Sequence, residues 1–207
     1  MKKLMIVAVA ALTLGAVLES KAENENWKYS PIGLGIAAPV QIPFTDSHVY
    51  GIRLGGIFGW NADVYGIDCG FAQYASGNEG APQVGAINVV GGDFDGLQVG
   101  AVNVVGAEVA GVQVGVLNWA ELNAVGLQVA LANTVARETT GIAIGGVQFS
   151  DSVEGGQIGI VNLSNYVYGF QFGVINACDD IGGVQIGCIN LITTGLVPVL
   201  PFVNASF

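Results

Sequence analysis

The sequence predicts an all-β protein, a repeat β-solenoid of about twelve 14–15-residue coils, with an outer-membrane β-barrel of about twelve strands as the alternative. Three observations lead there. A polar residue flanked by apolar ones recurs at a fixed interval along nearly the whole chain. Glycine makes up 32 of 207 residues and charged residues only 11%, where a soluble domain is ordinarily about a quarter charged. The apolar pairs also change face inside every repeat, which one straight strand cannot accommodate. Glycine at this frequency costs about 1 kcal/mol at each helix-interior position relative to Ala, so helix-rich folds are disfavoured. A chain of positive mean hydropathy, rich in Val and Ile, is not disordered either.

In chain order, the first element is an export signal. Lys2 and Lys3 precede an apolar run from Leu4 to Leu18, and Ser20-Lys21-Ala22 offers a small-x-small cleavage site. Residues 1–22 are therefore expected to be a signal peptide cleaved after Ala22, residues 23–32 an N-terminal cap, and residues 33–207 a single β-repeat domain. The formal net charge is −10. Removing Lys2, Lys3, Lys21 and Glu19 leaves 15 acids against Lys28, Arg53 and Arg137, a net of −12. No later segment holds 18 consecutive apolar residues, so helical spans are not expected. The expected address is the cell surface or outer membrane.

The repeats follow. Gly96-Leu97-Gln98-Val99-Gly100-Ala101-Val102-Asn103 aligns with Gly111-Val112-Gln113-Val114-Gly115-Val116-Leu117-Asn118, a period of 15. The Gln position recurs at Arg53, Asp68, Gln83, Gln98, Gln113, Gln128, Ala143, Gln157, Gln171 and Gln185, with the step falling to 14 after Ala143. The Asn position runs through Phe58, Gln73, Asn88, Asn103, Asn118, Asn133, Gln148, Asn162, Asn176 and Asn190, and Asn204 continues it. A degenerate earlier copy is readable at Leu34-Gly35-Ile36 and Val40-Gln41-Ile42. Each repeat divides into three five-residue segments, of which the third varies most and carries the acids.

Alternation along one extended strand would place Leu97 and Val99 on one face and Val102 and Val104 on the other. A bend at Gly100-Ala101 brings both pairs to one side, and a repeat becomes a coil. The hydrophobic rule then points the apolar residues inward and the amides outward. Stacked coils would align Gln83, Gln98, Gln113 and Gln128 in one amide ladder. Asn88, Asn103, Asn118 and Asn133 would form another, extended by Asn162, Asn176 and Asn190. The barrel alternative suits an exported acidic chain ending in Phe207, but barrel neighbours run antiparallel, so its repeat should be a hairpin of about 30 residues. The two folds also differ over the cysteines. A hairpin turning near Gly182-Gly183 would set Cys178 opposite Cys188, whereas a coil separates them by roughly 13 Å, too far for a disulfide.

These Gly-apolar-Gln-apolar-Gly-x-apolar-Asn units resemble those of the bacterial surface-repeat family, exported proteins of unestablished activity, over about residues 33–207. The segments Val49–Leu54 and Val64–Asp68 look like that family's N-terminal copies, and Leu196–Asn204 like its C-terminal one. The resemblance implies an envelope or surface protein with no catalytic residues to carry over. Ala130, Ala143 and Gln148 depart from the pattern.

Little else in the sequence suggests chemistry. His48 is the single imidazole, in a loop with Asp46 nearby, so neither a nucleophile system nor a His-based metal site is indicated. An acidic chain offers nucleic acid no basic face. Gly91-Gly92-Asp93-Phe94-Asp95-Gly96 resembles the glycine-aspartate turns that hold calcium in β-rolls, but occurs once. The acids Asp93, Asp95, Glu108, Glu121, Glu138, Asp151, Glu154, Asp179 and Asp180 read as a solvated edge. No cofactor and no enzymatic activity are expected. The expected role is structural or adhesive, with the outward amides touching a surface glycan or another envelope component; the alternative is a membrane barrel with a pore or anchoring role.

Overall fold

Side chains on an extended backbone alternate between its faces, so a chain that closes on itself every fifteen residues has room for only a few of them inside. The computed structural model, which describes residues 29–37, 40–43, 46–80, 82–195 and 197–206, shows how this chain resolves that constraint. The expected signal peptide and most of the expected cap lie outside the described residues.

The described chain is an all-β solenoid of about 11 coils. Its neighbouring coils run parallel, not antiparallel as in the barrel alternative. One coil contains the strand Phe94–Val99, a bend at Gly100-Ala101, the strand Val102–Val105 and a turn through Glu108. The strand Phe94–Val99 pairs with Val109–Val114, and Val102–Val105 with Leu117–Ala120, each residue opposite its equivalent one repeat later. At the usual strand spacing of roughly 4.8 Å, eleven coils make a rod on the order of 50 Å long. The 14-residue coils lose their residue in the turn: three steps separate the inward residues Ser164 and Val167, where four separate Val105 and Val109.

Which residues face inward is the reverse of the expectation. Phe94, Gln98, Asn103 and Val105 are buried, while Leu97, Val99, Val102 and Val104 lie on the outside. The reason is geometric. With the bend at Gly100-Ala101, either the centre of each apolar-amide-apolar triplet points in or its two flanks do, and the narrow coil accommodates only the centre. The apolar contents come instead from the residues nearest the turn. Val90, Phe94, Val105, Val109, Ala120, Ala124 and Val135 form one stack, and Val153, Val167, Cys178, Ile181 and Ile192 another.

Both ends are closed by antiparallel strands. Tyr29–Ala37 stacks parallel on His48–Asn61, and Val40–Ile42 then folds back antiparallel, so the degenerate first copy is a hairpin lid and not a full coil. Val199–Ser206 returns antiparallel along Asp180–Ile192, which places Asn204 opposite Gln185 and not in series after Asn190. A further correction concerns the Asn position in the first full coil. Gly59, not Phe58, pairs with Gln73, because the bend after Arg53 holds one extra residue, offset by one fewer in the turn between Asn61 and Val64.

Candidate functional site

Each regular coil turns two amides inward, and each of them bonds its copy in a neighbouring coil. Asn88, Asn103 and Asn118 each donate from Nδ2 to the Oδ1 of the next Asn at 2.8 Å, and Asn133 donates to Gln148 Oε1 at 2.8 Å. The row resumes from Asn162 to Asn176 at 2.7 Å and to Asn190 at 2.8 Å. The glutamines form the second row, at 2.6–2.8 Å, with the opposite sense: Gln98 donates back to Gln83, Gln113 to Gln98, Gln128 to Gln113, Gln171 to Gln157 and Gln185 to Gln171.

The sense of each row has a cause. Asn Nδ2 also reaches a backbone carbonyl of the following coil, as Asn103 does to Val114 O at 3.0 Å, so its N–H bonds point toward the C-terminus. The Gln row begins at a carboxylate, which can only accept: Gln83 Nε2 lies 3.1 Å from Asp68 Oδ2 and 2.7 Å from Glu79 Oε2. All eleven amides expected to form ladders, from Gln83 to Asn190, are 0–3% exposed. The expected outward amide surface for a glycan is therefore not there, since these amides point into the coil and bond one another and other buried groups.

The first coils replace amides by a buried charge cluster. Arg53 stands at the Gln position; its Nε donates to Asp68 Oδ1 at 2.7 Å, and its Nη2 pairs with Asp68 Oδ2. Nη1 reaches Tyr74 O at 3.1 Å and Asn61 Oδ1 at 3.3 Å. Gly33 beside the Arg53 stem and Gly59 facing its Nε leave the side chain its room. Glu79 completes the cluster, at 1% exposure. Its burial, and then the charge of Asp68, push its pKa well above the ordinary carboxyl range, against a smaller opposing effect of Arg53. One cation thus faces one carboxylate and one carboxyl that burial favours as neutral. The sequence placed Arg53 and Asp68 on the Gln position without showing them as an ion pair. It missed Glu79, although Val64, Glu79, Phe94 and Val109 form one inward column at 15-residue spacing.

Outside, the distribution is inverted. From Ile67 to Leu191 no residue flanking either amide row is charged. Leu97, Val114, Phe149, Phe172, Ile186 and Ile189 are among the many large apolar side chains left in solvent. These flanks make two uncharged faces that meet along the Gly100 corner. Charge is kept to the third corner and the outward strand position next to it, where Asp93, Asp95, Glu108, Glu121, Asp151, Glu154, Asp179 and Asp180 are exposed. That corner has its own repeat bonding: Asn78 N, Asp93 N and Glu108 N donate to the side chains of Asp63, Asn78 and Asp93.

The remaining candidates are His48 and the three cysteines. His48 Nδ1 lies 2.7 Å from Asp63, not Asp46, and its ring stacks on Tyr29. Cys69, Cys178 and Cys188 are unpaired, Cys178 inside and Cys188 outside. Burial, then Asp180 and Asp179, push the Cys178 thiol up to about 12. Among the described residues no three His, Cys, Asp or Glu are grouped to hold a metal, and no helix is long and apolar enough to cross a membrane. No protein-family model, curated protein or solved structure matches the chain.

Proposed function

We propose that this protein is an exported cell-envelope rod with a structural or adhesive role and no catalytic one, and that it adheres through its two apolar faces to lipid. The observation that carries the reading is the uninterrupted absence of charge beside both amide rows, coil after coil, while every acid of the repeats stays at or next to the third corner or inside. Uncharged apolar surface of this extent marks an interaction site. Two faces meeting at an edge favour lipid over a second copy of the chain, because a side-by-side partner covers one face and leaves the other in water, whereas hydrocarbon accommodates both. An apolar exterior around a polar interior is also the distribution that lipid-facing β-structure requires. The export pattern at Lys2–Ala22 and the resemblance to surface-repeat proteins support the location.

The test is flotation of the secreted chain with vesicles of uncharged phosphatidylcholine. Binding should survive added salt, since no charge pair drives it, and should be lost on replacing Leu97, Val112 and Leu127 with Asp. A chain that stays in the aqueous phase with vesicles present, and binds a glycan or only itself, would overturn the lipid reading.

A further inference from the structure

One coil breaks both amide rows. In the glycine column, Gly126 is followed by Gly141 and then Gly155, and two residues further along each coil stand Gln128, Ala143 and Gln157. Ala143, 2% exposed, therefore occupies an inward Gln position without an amide. In the same coil Gln148 occupies the Asn position, and the apolar inward positions hold Thr139 and Ser150, whose hydroxyls lie 3.1 Å apart. Three of the four inward residues have changed kind, and the fourth is a longer amide.

The change has consequences on both sides. Gln128 Oε1, which would accept from a Gln at 143, has no partner. Gln148 accepts from Asn133 at 2.8 Å, but its own Nε2 donates to nothing, and Asn162 Oδ1, the next acceptor along that row, receives nothing. Corner geometry locates the break. An added Cβ on Gly115 would lie 2.9 Å from Asn103 Nδ2 and 3.0 Å from Asn118 Oδ1, the two atoms of one ladder bond. At the break these contacts are divided: Gly145 is flanked by Gln148 Nε2 and Gly159 by Asn162 Oδ1. The coil is also under-filled. A Gln and an Asn bring nine side-chain heavy atoms to the polar half, and Ala143 with Gln148 only six.

We propose that the Ala143 coil binds an ordered internal water that joins the interrupted rows. The unmatched groups specify the ligand: two amide oxygens that need a hydrogen and one N–H that needs an acceptor. Water supplies two hydrogens and a lone pair, and three bonds are the usual number for a buried water. A metal cation would suit the two oxygens but meet the Gln148 N–H with the wrong sign, and an anion would reverse that mismatch. Lying between the apolar stack that ends at Val135 and the one that begins at Val153, the site is a hydrated joint dividing the rod's interior.

A high-resolution crystal structure of the full chain tests this directly. A solvent peak within hydrogen-bonding distance of Gln148 Nε2 and of Gln128 Oε1 or Asn162 Oδ1 is the expected result. Direct amide-amide bonds with no such peak would overturn the proposal. The paired variant A143Q/Q148N, which restores the regular repeat, should displace the water, close both rows and raise Tm by several degrees, while A143Q alone overfills the coil and should lower it. If the wild-type crystals show the water absent, or A143Q proves as stabilising as the pair, the joint is not hydrated.

Discussion

Asn118 shows what a buried amide requires. Its Oδ1 accepts from Asn103, and its Nδ2 donates to Asn133 at 2.8 Å and to Gln113 O at 3.2 Å. Replacing it with Leu keeps the number of side-chain heavy atoms but leaves the Asn103 donor and the Asn133 acceptor unmatched. At about 1–3 kcal/mol for each buried group left unpaired, a loss of about 2–6 kcal/mol in denaturant unfolding is expected. Changing Gln98, Gln113 and Gln128 together to Ser, harmless if they were a surface stripe, should abolish the β circular dichroism. Glu79 gives the rod a pH dependence of definite sign. Its pKa in the folded chain lies above the unfolded carboxyl value of about 4.3. Its contribution is therefore fully present below that unfolded value and is lost as pH rises through the folded one. The wild type should lose stability as pH rises above the unfolded carboxyl value, and Glu79→Gln should flatten that fall in Tm. A steeper fall in the variant would show that another group is responsible.

At the scale of the coil, the two polar columns share a restricted space. Where the Gln position holds the shorter Asp68, the Asn position holds the longer Gln73; where it holds Arg53, the partner is Gly59; where it holds Ala143, the partner is Gln148. The glycine column that runs through Gly96 and Gly111 is equally restrictive. Gly111 has φ 135, and a Cβ there would sit 2.0 Å from Gly96 O. Gly111→Ala should cost at least about 2 kcal/mol, the lost conformation adding to the clash, in the same unfolding assay. The coil itself could be read from the sequence, because the 15-residue period and the phase change between Leu97-Gln98-Val99 and Val102-Asn103-Val104 leave one bend as the solution. Its inside and outside could not. An apolar-amide-apolar triplet reads equally well either way up, and the hydrophobic rule selects the wrong face. The deciding facts are the width of the coil and the ability of identical amides, stacked in register, to satisfy one another; without that ability burial would cost several kcal/mol per group. The antiparallel ends were hidden for a different reason, since Val199–Ser206 keeps the repeat's alternation while running the other way.

Across the whole molecule, the exterior follows from the interior. With the amides committed to each other, Leu97, Val112, Leu127 and their equivalents have only the outside left to them. Burying one such side chain in a partner contributes about 1.5–3 kcal/mol, so a few coils in contact with hydrocarbon are enough for firm attachment. Stability should behave as a chain of neighbour terms, weakest where the Ala143 coil meets its neighbours. Hydrogen exchange should accordingly resolve two protected blocks, one on either side of residues 139–152. The opposed senses of the amide rows bear on length. In an α-helix every aligned peptide adds to a macrodipole that charges the two ends. Here the dipoles of the Asn row are countered by those of the Gln row beside it, so an added coil leaves the field at the ends unchanged. The number of repeats is then free of electrical constraint, and the rod can be lengthened or shortened by whole coils to suit the distance it has to span.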